Sequence, residues 1–194
     1  MVSENKTALT EYASLNDSVK YVRMQVCAQC HPDQYKTFIE TGMGKSFDTA
    51  SRKKSAANFD HSVIFDSYSA MNYKAHWLND SLIFTEFKIE NGDTVFKRNE
   101  TVNYIVGSGQ HTNSHLINVN GYLYQAPMTY YTQKQKWDLP PGFEGGFNSR
   151  FNRPIGLECI TCHNSYPKFV KGSENKYDSI PNGISCERCH GPGE

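Results

Sequence analysis

All six cysteines of this 194-residue chain fall into three pairs of one spacing, and a histidine follows each pair at once. The motifs are Cys27-Ala28-Gln29-Cys30-His31, Cys159-Ile160-Thr161-Cys162-His163 and Cys186-Glu187-Arg188-Cys189-His190. With 7 histidines in the chain, three such placements arise by chance with a probability of roughly 5 in 100,000. Two thiols three residues apart match the two vinyl groups of one haem, to which they add as thioethers. The adjacent imidazole then lies under the iron as its proximal ligand. The pattern therefore predicts three covalent haems c, on Cys27/Cys30, Cys159/Cys162 and Cys186/Cys189, with His31, His163 and His190 on the irons.

Other uses of paired cysteines fit less well. A zinc ribbon formed by Cys159/Cys162 and Cys186/Cys189 has plausible spacing, but it strands Cys27/Cys30 and makes three flanking histidines accidental. Disulfides within each pair would close strained three-residue loops and again leave the histidines unused. A thioredoxin-like redox pair needs one motif near a βαβ pattern, not three.

Each iron also needs a second axial ligand or an open position. The remaining histidines are His61, His76, His111 and His115, and Met24, Met43, Met71 and Met128 are the thioether candidates. His111 and His61 lead among the imidazoles and Met43 among the thioethers. Arg150, Arg153 and Arg188 lie near the second and third motifs in sequence, where cations can pair with haem propionates.

Between the first motif and the other two the periodicity changes. Pro32 with Tyr35, Phe38 and Ile39 reads as a short helix ended by Gly42. Residues 46–58, with Lys53 and Lys54, read as a solvated loop. From about residue 60 to 130 the pattern is strand-like. Leu82 to Ile89 alternates, and Asn91-Gly92 and Asn120-Gly121 are hairpin signals between apolar runs. Gly107-Ser108-Gly109 lacks the lysine and helix of a phosphate loop and reads as a turn presenting His111. The expected fold is α+β with much irregular structure: a polar lead-in over residues 1–24, then a trihaem domain over 25–194. A β-rich insert (about 60–130) separates haem I from a haem II/III pair.

Lysine plus arginine equals aspartate plus glutamate at 20 each, which argues against a nucleic-acid coat or an anionic-membrane binder. Hydrophobic residues make up only 38% while aromatics reach 13%, so porphyrin packed against aromatic side chains is expected to fill part of the interior. The six propionates of three haems lie outside the charge count and would make the assembled protein acidic. Haem c is attached outside the cytoplasm, so a periplasmic or cell-surface exported protein is expected. Residues 1–26 hold no apolar signal core, and no stretch approaches a membrane span. The expectation is a signal or anchor outside this sequence, or a chain that is part of a longer one.

The chain resembles the multihaem cytochrome c-552/4 family, in particular the branch often fused to tetratricopeptide repeats. The resemblance spans roughly residues 25–194. It rests on Cys27-Ala-Gln-Cys-His31 with Tyr35, Thr41-Gly-Met43-Gly-Lys-Ser-Phe47, Phe59-Asp-His61-Ser62, and Val106-Gly-Ser-Gly-Gln-His111. Tyr124-Gln-Ala-Pro127 with Trp137, Glu158-Cys-Ile-Thr-Cys-His163-Asn164 and Gly183-Ile-Ser-Cys-Glu-Arg-Cys-His190-Gly-Pro-Gly193 complete it. It implies electron transfer through closely packed haems with bis-histidine or histidine–methionine ligation. His61 and His111 match histidines of the family pattern, and Met43 stands where relatives carry a histidine. The family chain usually continues past Gly-Pro-Gly with a further histidine.

The functional expectation is an electron carrier that works with redox partner proteins, other multihaem cytochromes among them; assembly into an oligomer is compatible with it. The competing reading is a small-molecule oxidoreductase with one open-coordinate haem acting on a nitrogen or sulfur oxyanion, hydroxylamine or peroxide. Tyr130, Tyr131 or His115 would then be the proton donors.

Overall fold

The computed structural model describes residues 16 and 18–193. The amphipathic stretch expected around Leu9 to Leu15, and Glu194, lie outside the described residues. Two short helices open the described chain, α1 (Met24–Cys30) and α2 (Pro32–Phe38), joined at His31. Pro32 starts α2 because a first-turn position needs no backbone donor.

Strands then dominate. β1 is Phe47–Thr49, and β2 (Val63–Asp66), β3 (Met71–Leu78), β4 (Ser81–Glu90) and β5 (Asp93–Val102) form an antiparallel four-stranded sheet in chain order. β6 (Tyr104–Val106), β7 (Thr112–Val119), β8 (Tyr122–Tyr131), β9 (Lys136–Asp138) and β10 (Arg153–Pro154) join β1 in a second sheet. Its order is β1-β6-β7-β8-β10, with β9 also on β8. Both hairpin signals hold. Asn91 and Gly92 have φ of 52° and 91°, and Asn120 and Gly121 have 53° and 90°, so each turn has positive φ at both central residues, as a type I′ turn requires. The strand-rich region is longer than expected. It runs to β9 and recruits β1 from the segment read as a solvated loop, because Phe47 is an apolar anchor (1% exposed) paired with Val106 of β6.

The second sheet is buried on both faces, and the alternation along β7 and β8 shows why. Ile117, Ala126, Met128 and Tyr130 point toward the four-stranded sheet, where they meet Tyr73, Ala75, Leu82 and Phe84. Leu116 and Leu123 point the other way, onto Phe47, Ile155, Ile160 and Tyr177. The molecule is thus layered, with the four-stranded sheet, then the six-stranded sheet, then a layer of short helices and turns. That last layer holds α3 (Leu157–Ile160), the β11–β12 pair (Lys168–Phe169, Tyr177–Ser179) and α4 (Glu187–His190).

Many of the aromatic residues gather in one cluster of the β region, while Tyr21, Tyr35 and Tyr166 line the clefts of the motif layer. Trp137 lies within 6 Å of Phe59, Phe84, His115 and Tyr130, centroid to centroid. These rings pack on one another between the sheets rather than around the cysteine motifs. Edge-on ring contacts give such a cluster cohesion beyond its buried area, so the β region has a core of its own despite few aliphatic residues.

Candidate haem-attachment centre

The three motifs lie on the helical turns of the outer layer, and all six thiols are free. Cys27 and Cys30 are i and i+3 on α1 and therefore share a face. His31 caps the helix and donates its backbone N–H to Cys27 O at 2.9 Å, which fixes the imidazole directly after the thiol pair. In the second motif His163 donates to Ile160 O at 2.9 Å; in the third His190 donates to Cys186 O at 3.1 Å. Each motif is thus a single helical turn that brings two thiols and an imidazole to one locality.

The residues between the cysteines anchor these turns. Ile160 of the second motif is 2% exposed and inserts into the apolar cluster under the six-stranded sheet. Glu187 of the third motif is buried, and its carboxylate accepts the N–H groups of Val22 (2.8 Å), Arg23 (2.9 Å) and Gly193 (3.1 Å). It thereby holds the chain entering α1 against the third motif. Sequence reading passed over both residues as spacers, although a lone Ile and a lone Glu inside otherwise polar motifs were visible.

That clamp gives an arrangement not foreseen from spacing. The second and third motifs are neighbours, as their 27-residue separation suggested: Arg188 donates to Thr161 O at 3.4 Å, and Ser165 N–H donates to Gly183 O at 3.1 Å. The first motif also meets the third. Cys27, Cys30, His31, Cys186 and His190 line one cleft of about 520 Å³, walled by Val22, Val26 and Tyr35. Burial, then the charges of Cys186 and Glu187, push the Cys27 thiol pKa up. A larger cleft of about 1090 Å³ adjoins it across Tyr35 and Glu187. Paired free thiols, adjacent imidazoles and the smaller, mainly apolar cleft fit haem c at the first and third motifs. Cys159/Cys162 and Cys186/Cys189 do not converge on one point as a zinc ribbon would: no group of three metal-ligating side chains forms among the described residues.

The distal candidates divide by position. Met43 is half exposed, in the turn after α2; its carbonyl accepts Ile184 N–H (3.3 Å) at the approach to the third motif. His111 is exposed after the Gly107–Gly109 turn, 2.7 Å from Gln133 through Nδ1. The two glycines adopt φ of 97° and 88°, as the turn reading required. His61 is exposed just before β2. His76 is partly buried on β3, and burial, then Lys74 and Lys97, lower its pKa. His115 and Met128 are fully buried in the core between the sheets. Arg150, expected to be free for a propionate, instead grips Glu86, with its Nε 2.5 Å from the buried carboxylate. Arg153 donates to Pro141 O at 2.9 Å.

Thiol-bearing turns of this kind, arrayed on the outer layer of a two-sheet fold, have the residue pattern of c-type cytochromes. Residues 26–76 and 148–191, just under half of the chain, match the family described as cytochrome c554 and c-prime. These segments contain all three motifs and leave out most of the strand-rich region. The matched segments are those that carry the cysteine motifs, so the likeness to that family lies in the motif layer. Its fold is similar to that of the crystal structure of outer cell wall cytochrome OcwA, with a TM-score of 0.51 at 19% identity over 89% of this chain. The chain spans about a third of that protein's length (32%). No curated protein matches the sequence. Among the described residues no helix is long and apolar enough to cross a membrane.

Proposed function

We propose that this chain relays electrons through three covalent haems c, one on each motif, with His31, His163 and His190 as proximal ligands. His61, His111 and Met43 are the distal ligands in this reading. Haem supplies one-electron redox chemistry when bound; the chain's own residues hold it, cover it and tune it. The observation that carries the proposal is the contiguity of the three thiol-bearing turns. The first meets the third across one cleft, and the third meets the second through the Arg188 side chain on Thr161 O and the flanking Ser165–Gly183 backbone bond. Met43 and His111 suit a ligand role because both are accessible on turns held near the motif layer, whereas His115 and Met128 are enclosed in the core. The polypeptide works outside the cytoplasm, in the periplasm or at the cell surface, with other redox proteins as partners.

Spin state tests this reading. With two protein ligands on every iron, the reduced protein shows a c-type α-band with no high-spin feature, and carbon monoxide or nitrite leaves the spectrum unchanged. Ready binding of either, with turnover of nitrite, hydroxylamine or peroxide above that of free haem, would instead establish an enzyme with one open iron.

A further inference from the structure

Lys54 lies in the segment that reads as a solvated loop, yet it is half-buried. Burying an ammonium is costly unless it is well paired, and burial lowers the pKa of this one. Its Nζ donates to two backbone carbonyls, Lys45 O and Gly107 O, the latter at 2.6 Å. Lys45 belongs to the turn that carries Met43, and Gly107 opens the turn that leads to His111. Between these turns, Ser46 Oγ lies 2.7 Å from both Met43 O and His163 O, and Gly107 N–H donates to Ser46 O at 2.7 Å. One small polar hub therefore connects both turns to the second motif. Asp48 is the acid whose field reaches Lys54, and Lys45 opposes it.

We infer that Lys54 is a positioning residue for the second motif: its ammonium ties the Met43 turn to the Gly107 turn and sets a fixed positive charge at the Ser46 hub, which meets the His163 carbonyl. This rests on the reading of His163 as an iron ligand. A ferric centre carries one more positive charge than a ferrous one, so a fixed cation nearby favours the ferrous state and raises the potential. The neutral variant should lower it.

The test is spectroelectrochemical titration of the haem-loaded protein as wild type, Lys54→Met, Lys54→Arg and, as an exposed control on β5 away from both clefts, Lys97→Met. Lys54→Met should shift one redox wave so that its ferrous-to-ferric ratio at a fixed potential falls about tenfold, ~59 mV for a one-electron couple. The other waves, and all waves of Lys54→Arg and Lys97→Met, should stay in place. If Lys54→Met does not mature, Lys54→Gln, which keeps a donor without the charge, carries the same expectation. Unmoved waves in the neutral variant, or an equal shift in Lys54→Arg, would overturn the inference. Mass mapping of the peptide around Cys159–His163 separates this from failure of the underlying reading: a peptide without haem in the wild type defeats the ligand assignment itself.

Discussion

His115 is a candidate ligand by residue type, but it is enclosed between the sheets. Its ring stacks on Trp137 with centroids 5.2 Å apart, its Nδ1 lies 3.1 Å from Met128 O, and its Nε2 has no partner among the described residues. Desolvation in this apolar site pulls its pKa to about 4, with the Met128 hydrogen bond opposing. The unfolded chain, with an ordinary histidine near 6.5, binds the proton first as pH falls. Stability from neutral His115 is therefore fully present above about pH 6.5 and is lost progressively down to about pH 4, by roughly 3 kcal/mol in all. Denaturant titrations of wild type and His115→Phe between pH 7 and 4 should show a shallower acid loss in the variant; parallel curves would contradict the assignment. At this scale the sequence was least legible. Periodicity cannot say which of four spare histidines is enclosed, nor that Arg150 answers to Glu86, 64 residues earlier in the chain, because both depend on which sheet faces meet.

At the scale of elements the sequence was more informative. The Asn-Gly turns, the start of the Pro32 helix and the glycine turn before His111 all have local causes and appear as expected, although that helix ends at Phe38, short of the expected stop at Gly42. The contact of α1 with α4 has no local cause. It hangs on Glu187, whose carboxylate satisfies three N–H groups contributed by residues on both sides of the cleft. Glu187→Ala leaves these donors unpaired in a partly buried setting, a loss of about 2–4 kcal/mol, and should loosen the lead-in to the first motif. Hydrogen exchange at Val22, Arg23 and Gly193 checks it: faster exchange confined to these amides is expected, whereas unchanged protection would show that the clamp is not needed. The loop expected at residues 46–58 holds over 50–58, but Phe47–Thr49 is a strand and Lys54 is half-buried, for a related reason. Phe47 and Lys54 are single anchors in a polar stretch, too few to register as a pattern.

On the scale of the whole molecule, the motifs fixed the chemistry, while the fold fixes their arrangement. A sheet buried on both faces carries its own aromatic core on one side and the thiol-bearing turns on the other. The low aliphatic content is met in the β region by rings packed between the sheets, while the motif layer holds clefts of about 520 and 1090 Å³. Chain spacing predicted the adjacency of the second and third motifs. It was silent on that of the first and third, which are more than 150 residues apart and meet only through the three-dimensional path of the insert. The central claim is that each of the three turns carries one haem. Haem per polypeptide, measured by alkaline pyridine haemochrome absorbance on the purified protein together with its intact mass, tests this most directly. The account predicts three haems that survive acid–acetone extraction, and two in Cys30→Ala, Cys162→Ala or Cys189→Ala. Fewer than three in the wild type, or haem that extracts freely, would contradict it.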